Sequence, residues 1–539
     1  MTANRSGAGR LALAGWSLAA LLALLHAWLL NRYAVNFPFQ DDYTQLLVVP
    51  GYFDRQVGWL DRISYVFSLS VEHRIATFRL LALIQAKLLG QLDFRALIFF
   101  GNALCVAAGL LVLSRADAAQ RPWLAPIFAA LLLSPTNMIA QYWPTGALQH
   151  LGGTAYAFGA LFCAMRRGPA WTIGALLLAA AAAFTVVSGL MVFPVAAVMM
   201  LLTGRRRAAL AWAVATLALF GLYFIGYETT VGRQSITDLL RDPLRLALHC
   251  LSTLGSLTGE AASAAILGGA LVAAWLGLFA FRRDRSVPPE LIAWMAFVVL
   301  CSAAIAVGRA ALGPEAVINS RYRVYSEMAA LVTLLAVLRK LDSSRWSMAV
   351  IAVLLPCSFL LFARAWDRYM LGIADLAMES RNARDHYVLD GHGIYYGWPP
   401  QEFGDFALKR ADDDGYFHPL RAREKASTFV EAHVDGTPAA PPEFWAAAPV
   451  VDASAITVHG VAGADNGGVG LFLRSGEKSY IAALPTQRMF RRLDSSDPII
   501  FWGVVPLRGV APGLYQIGYV LRRNGMAEIV ASDASVLVP

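Results

Sequence analysis

Charge is scarce in this chain: 15% of its 539 residues are Asp, Glu, Lys or Arg, against 57% hydrophobic residues and a mean hydropathy of +0.53. Soluble domains carry about a quarter of their residues as charges, so a soluble globule is excluded and an integral membrane protein is implied. Cysteine is equally sparse. The five present, Cys105, Cys163, Cys250, Cys301 and Cys357, lie in or beside apolar segments without a CxxC pair or a Cys/His cluster, which excludes a disulfide framework and a zinc site. Internal repeats and low-complexity tracts are absent apart from alanine-rich helix. The net charge of +8 comes from arginines in short loops between apolar runs, the pattern that orients a membrane protein, so no nucleic-acid partner is expected.

What the chain does have is apolar runs of spanning length, near 11–31, 96–114, 122–140, 148–165, 208–226, 261–281, 290–308, 324–340 and 346–364. The first follows Arg5 and Arg10 but shows no small-residue cleavage site, so it reads as a retained helix. The run from Trp171 to Leu202 is too long for one span and contains Ser188-Gly189, which marks a turn. Splitting it there predicts about eleven transmembrane helices.

Orientation follows from the basic loops. Arg115 to Arg121, Arg166-Arg167, Arg205 to Arg207, Arg282 to Arg285 and Arg339 to Arg345 all fall on the cytoplasmic side with the N-terminus, provided that IATFRLLALIQAKLLG, 75–90, does not cross. That segment is short and mixes Arg79, Gln85 and Lys87 among apolar residues at helical spacing, as an interfacial amphipathic helix does. The outer side then receives 32–94, the YWPTG turn at 142–146, the stretch from Glu228 to Glu260, the loop 308–322 and the C-terminal part.

Beyond Trp366 the spanning runs cease. Residues 366–445 read as a mixed connector with a helix near 367–384, and 446–539 alternates apolar and polar positions in short segments such as ITVHGV, GVGLFLRS and GLYQIGYVLRR, separated by Gly, Pro, Asp and Asn. The predicted fold class is therefore a polytopic α-helical membrane domain, 1–365, with a periplasmic first loop at 32–94, followed by the connector and a soluble C-terminal β-sandwich.

Three constellations offer chemistry. Asp41 and Asp42 sit where the first apolar run ends; one of them, its pKa raised by the other's charge and by partial burial, suits a general base, while the alternative is that both favour the start of the following helical stretch YTQLLVV. Glu72, His73 and Arg74 open the interfacial helix; Glu72 suits an acceptor group or cation and His73 and Arg74 suit phosphate oxygens, against an alternative of capping and headgroup contact. Arg309 with Ser320, Arg321, Tyr322 and Arg323 flanks the late outer loop; permanently charged, planar guanidinium groups fit a phosphate held at the bilayer surface, and headgroup contact is again the alternative. Trp143, Gln149 and His150 border the YWPTG turn and suit a sugar ring, against an interfacial aromatic belt. His249, Glu228, Glu260, His392, Asp412 to Asp414 and His418 are weaker candidates.

With Asp41 and Asp42 in the first outer loop, a surface helix ending in LLG at 88–90 and an arginine-bearing late loop, the membrane half resembles the GT-C superfamily of membrane glycosyltransferases. That superfamily includes protein O-mannosyltransferases and aminoarabinose transferases. Within it, the chain looks most like bacterial multispanning proteins with QDD, EHR and SRY motifs, here Gln40 to Asp42, Glu72 to Arg74 and Ser320 to Tyr322. The resemblance implies a polyprenyl-phosphate-linked sugar donor, an envelope glycan or lipid as acceptor, and a place in the bacterial inner membrane with the C-terminal domain in the periplasm. It further implies Asp42 or Asp41 as the base and Arg321 or Arg309 on the donor phosphate, and inversion at the anomeric carbon. A phosphate leaving group needs charge stabilisation more than protonation, so one carboxylate plus arginine is chemically sufficient; the metal-dependent oligosaccharyltransferase pattern is not evident, so no metal ligands and no required cofactor are expected. One departure stands out: the turn QYWPTGALQH lacks the second acid found in several GT-C enzymes, leaving Glu72 as the substitute or the chain inactive. The other readings of the whole chain are a flippase of lipid-linked glycan and an inactive envelope-assembly scaffold. Carriers place charges at mid-membrane and repeat their halves, whereas here the charges lie at segment ends.

Overall fold

A computed structural model describes residues 3–54, 58–70, 72–227, 241–280, 287–309, 312–341, 344–390, 399–419, 429–432, 437–438, 444–452, 454–463, 466–476, 478–489, 498–523 and 526–539. Contacts divide the chain into two units: Met1–Ala34, Tyr52–Ile84 and Ala96–Tyr369 form one, and Val35–Gly51, Gln85–Arg95 and Met370–Pro539 form the other.

The first unit is helical. Six helices among the described residues are long and apolar enough to cross a membrane: Ala12–Tyr33, Phe94–Leu113, Arg121–Tyr142, Ala261–Ala280, Pro289–Arg309 and Arg345–Val388. In chain order the principal helices are α1 (Ala3–Tyr33), α2 (Trp59–Phe67), α3 (Ala76–Leu89), α4 (Phe94–Leu113), α5 (Arg121–Leu132), α6 (Gly153–Met165), α7 (Pro169–Ala183) and α8 (Val192–Leu202). They continue with α9 (Arg206–Tyr223), α10 (Pro243–Leu254), α11 (Ala261–Ala280), α12 (Pro289–Arg309), α13 (Arg323–Lys340), α14 (Ser344–Asp390) and α15 (Gln401–Asp413).

The long run at 171–202 breaks into α7 and α8 around a short turn at Val187–Met191, as Ser188-Gly189 predicts. Glycine is required there because a Cβ on Gly189 would stand 2.0 Å from the carbonyl oxygen of Ala182. Similarly, α10 and α11 cross at Gly255 and Gly268, where a Cβ on either would meet backbone at 2.0 Å, the close approach that small residues allow between apolar helices. The core beneath is large and aromatic: Trp294 of α12 stacks on Phe158 of α6 at 5.3 Å, and its indole N–H donates to the Phe158 carbonyl at 2.9 Å.

Two sequence expectations change. The helix expected near 367–384 does not start anew after the last apolar run; α14 continues unbroken from Ser344 to Asp390. The reason is local, since the segment ARAWDRYMLG around residue 366 contains mostly good helix formers and no proline, and Asp367 and Gly372 are carried inside the helix without ending it. The stretch Glu228 to Glu260, read as an outer connection, contains α10, introduced by Asp242, whose side chain accepts from the Arg245 N–H at 3.0 Å, and by Pro243.

Charge marks the two ends of α6, α12 and α13. At one end Glu290, at the start of α12, faces Arg115 at 3.6 Å and Arg166 at 3.4 Å, and Arg339 pairs with Asp117 at 2.7 Å. Three of the basic loops thus meet on one end of the helices; Arg282 to Arg285 lie outside the described residues. The opposite ends carry His150, Arg309 and Arg321.

The second unit is β-rich at its C-terminal end. One antiparallel sheet runs β10 (Thr486–Arg488), β11 (Ile499–Pro506), β7 (Ala455–Ala462) and β5 (Trp445–Ala446), with β6 (Val450–Val451) also on β7. The other runs β3 (Val430–Glu431), β9 (Lys478–Ala483), β8 (Asn466–Ser475), β12 (Gly513–Arg523), β13 (Met526–Val538) and β4 (Thr437–Pro438). Alternation in the sequence places Ile456 and Val458 of one sheet and Leu471, Leu473, Ile517 and Tyr519 of the other in one buried cluster. The strands match the segments predicted from alternation, and β3 to β5 add edge pairs from residues read as connector. In the same unit α14 docks a polar stripe on β7: Asp375 lies 3.2 Å from His459, Asn382 donates to the Val458 carbonyl at 3.1 Å, and His386 meets Asp452 at 2.5 Å.

Candidate functional site

Three of the predicted site residues in the first unit, His150, Arg309 and Arg321, gather around a fourth, Tyr322. The sequence Asn319-Ser320-Arg321-Tyr322 forms a single 3-10 turn, closed by the Asn319 side chain accepting from the Arg321 N–H at 3.2 Å, immediately before α13. That turn points three groups at one another. The Tyr322 hydroxyl accepts from Arg309 Nε at 3.1 Å, the Arg321 guanidinium sits 5.0 Å from the Tyr322 ring, and the His150 ring stands edge-on to it at 5.2 Å. The charges of Arg321, His73 and Arg309 all bear on the His150 ring. Thus His150, Arg309, Arg321 and Tyr322, read from three separate stretches of sequence, converge.

Burial makes this assembly unusual. His150 is 4% exposed, and its Nδ1 has no hydrogen-bond partner among the described residues; the same holds for Arg321 Nε and the buried Ser320 hydroxyl. Buried donors and acceptors left unsatisfied are costly unless a ligand completes them.

Beneath the turn a second set of buried groups fixes its base. Arg323 donates to the carbonyls of Ile318 at 3.2 Å and Thr136 at 3.1 Å and stacks over Tyr369 at 4.7 Å. One helical turn later, Glu327 accepts from Asn137 Nδ2 at 2.7 Å and from the Thr136 hydroxyl at 3.3 Å. Sequence reading did not single out Glu327 or Asn137. The available signal was an acidic residue inside an otherwise apolar helix, which is itself a pointer to a buried polar network.

Arg74 is differently occupied from its predicted phosphate role. Its Nε, Nη1 and Nη2 donate to the carbonyls of Tyr223 at 2.8 Å, Phe67 at 2.7 Å and Ile225 at 2.5 Å, so the guanidinium is spent on helix ends. Glu72, 8% exposed, precedes His73 in the short hairpin of β1 (Leu69–Ser70) and β2 (His73–Arg74). Trp143 is 2% exposed and caps a short helical segment, Met138–Tyr142, so it is an interior residue instead of a member of an aromatic belt.

Asp41 and Asp42 belong to the second unit. Asp42 stands at the N-terminal end of the following turn, Tyr43–Leu47, but its side chain makes no cap bond to it; its Oδ2 accepts from the Phe39 N–H at 2.9 Å, and the residue is fully buried. Gln40 just before it adopts φ 47°, a left-handed conformation that costs a non-glycine residue about 1 kcal/mol or more and concentrates at functional sites. Tyr43 follows, and burial together with the Asp42 and Asp405 carboxylates pushes its phenol well above the ordinary range. Asp405, on α15, was not anticipated.

His249 is buried in α10, Glu260 bridges Arg364 at 2.7 Å and Arg368 at 3.2 Å, and His418 pairs with Asp412 at 2.7 Å. Glu228 and His392 lie outside the described residues. Among the described residues no group of three or more His, Cys, Asp or Glu side chains is arranged to hold a metal ion. Comparison of the chain with protein-family models, curated proteins and solved structures finds no match.

Proposed function

We propose that this protein is an inverting glycosyltransferase of GT-C type that takes a sugar from a polyprenyl-phosphate donor and transfers it to an envelope glycan or lipid. The observation that carries the reading is the convergence of Arg309, Arg321 and His150 on Tyr322, a preorganised cationic seat for a phosphate at the ends of apolar helices. In this reading Arg321 and Arg309 hold the donor phosphate and stabilise the charge that develops on it as the glycosidic bond breaks. His73 and His150 add donors, and Tyr322 orients both guanidinium groups. The base for the acceptor hydroxyl in this reading is Asp42 or its neighbour Asp41; strain at Gln40 supports a functional role for their turn. Glu72 is the candidate acid for orienting the acceptor.

The reading extends to architecture. Helices beyond the six longest, including α6, α7, α8, α9 and α13, complete a bundle of about eleven crossings, and the two sheets, sharing one core, make a β-sandwich on the periplasmic side of a bacterial inner membrane. The charged end formed by Glu290, Arg115 and Arg166 supports a cytoplasmic assignment for that end.

Transfer of labelled sugar from polyprenyl phosphate by the purified full-length protein tests the proposal. Loss of transfer in Arg321→Ala and in the Asp41→Asn/Asp42→Asn double variant, with each still folded, is the expected result. Full activity in the double variant removes the base assignment, and absence of any transfer by the wild type from a panel of polyprenyl-phosphate sugars overturns the enzyme reading.

A further inference from the structure

The helix α2 is nine residues long, about 13 Å at the α-helical rise, and too short to cross a bilayer. Its sequence WLDRISYVF is nevertheless strongly two-sided. Trp59, Leu60, Ile63 and Phe67 fall on one arc of the helix and are 68%, 63%, 49% and 39% exposed. Asp61 and Ser64 are exposed on the adjoining arc, and Tyr65 and Val66 turn inward. Four large apolar side chains in water would be a liability for so short a helix.

Its attachment shows where that arc points. Phe67 packs edge-on against Phe184 at the C-terminal end of α7, at 5.0 Å, and Thr77 at the start of α3 donates through its N–H to the Phe184 carbonyl and through its hydroxyl to the Ala181 carbonyl. Phe184 leads to Tyr223, and Tyr223 to Phe224, at the C-terminal end of α9, where Phe224 and Ile225 are 43% and 65% exposed. The apolar arc of α2 therefore continues the apolar outer surface of the bundle at one of its ends. α3 adds the exposed Leu80 and Ile84, one turn apart.

The C-terminal end of α2 is neutralised by two arginines. Arg79, 4% exposed, places Nη1 among the carbonyls of Tyr65, Val66 and Ser68 and lies 4.7 Å over the Tyr65 ring, while Arg74 takes the Phe67 carbonyl and ties it to the end of α9. Cations at a helix C-terminus satisfy its free carbonyls and offset its dipole. A surface helix pinned so tightly is positioned for a surface and is not a loose connection.

We propose that α2 is an interfacial helix whose Trp59, Leu60, Ile63 and Phe67 enter the acyl-chain boundary of one leaflet, with Asp61 and Ser64 toward water. Arg74 and Arg79 act as the clamp that fixes its depth. Because His73 and Arg74 are consecutive, the same short hairpin holds the lipid-facing helix and supplies a member of the basic cluster.

Tryptophan emission in nanodiscs tests this. Full-length wild type and Trp59→Phe are compared in plain and in brominated phosphatidylcholine, each with and without acrylamide; the difference between the two proteins isolates Trp59. Its emission is expected to be lost in brominated lipid and spared by acrylamide. Ser64→Trp in the Trp59→Phe background reports the water-facing arc and is expected to show the reverse. Acrylamide quenching of the Trp59 signal without an effect of bromine overturns the proposal, and so does protection from both quenchers, which would mean that a second copy or another protein covers the arc.

Discussion

The Tyr322 hydroxyl accepts its hydrogen bond from Arg309, at 3.1 Å, across a loop that separates two helices, and this one bond aligns the end of α12 with the turn that carries Arg321. Replacing Tyr322 by Phe keeps the ring against His150 and Arg321 but releases Arg309. A hydrogen bond to a charged group contributes about 1.5–3 kcal/mol, so Tyr322→Phe is expected to weaken donor use about tenfold, seen as a raised KM for the polyprenyl-phosphate sugar with little change in melting temperature. An unchanged KM would remove Tyr322 from the phosphate seat.

The break between α7 and α8 depends on a missing side chain. Gly189→Ala would push a Cβ to 2.0 Å from the Ala182 oxygen and 2.3 Å from its carbon, backbone atoms that have no rotamer to change. Overpacking of this kind costs about 1–3 kcal/mol, and the variant should melt several degrees lower in detergent. Gly269→Ala is the contrast, because a Cβ there meets nothing within 4 Å and alanine favours helix; its melting temperature should hold or rise.

Much of this was legible from residue order alone. Apolar length located the six helices long enough to cross a membrane, Ser188-Gly189 the break at 187–191, and period-two alternation β7, β8, β9, β11, β12 and β13. Grouping arginines by loop anticipated that Arg115, Arg166 and Arg339 share one end. What sequence could not provide was side-chain choice. Arg74 and Arg321 look alike in a string, yet one spends its donors on carbonyls and the other keeps a buried Nε unbonded. The difference arises from helix ends brought near by packing. The run of α14 past residue 366 is not legible from hydropathy, which falls there, because helix continuation depends on backbone propensity and capping.

Glu327 provides a test of the network under the SRY turn. Its carboxylate satisfies Asn137 and Thr136 and stands one turn from the buried Arg323. Glu327→Ala leaves two buried donors without their acceptor, a loss of about 2 kcal/mol or more. Glu327→Gln retains an oxygen for Asn137. The alanine variant should therefore melt well below the glutamine variant, and equal melting temperatures would show that the acceptor is dispensable.

The contact of α14 with the β-rich region carries a pH dependence of defined sign. Asp452 is partly buried, which raises its pKa, but the hydrogen bonds from His386, from the Ser454 N–H and hydroxyl and from the Ala455 N–H outweigh burial and hold it below the ordinary carboxylate range. A carboxylate whose folded pKa lies below its unfolded value of about 3.9 stabilises the fold fully above that value, and the contribution is lost as pH falls through the folded pKa. Asp452→Asn removes the charge at every pH. Melting temperatures of wild type and Asp452→Asn in detergent should therefore differ most near neutrality and converge as the buffer is taken below about pH 4. A gap that stays constant down to pH 3 or so would mean that the Asp452 charge adds nothing to the hold of His386 and the Ser454 turn, and that the docking of α14 on β7 rests on Asn382 and on apolar packing.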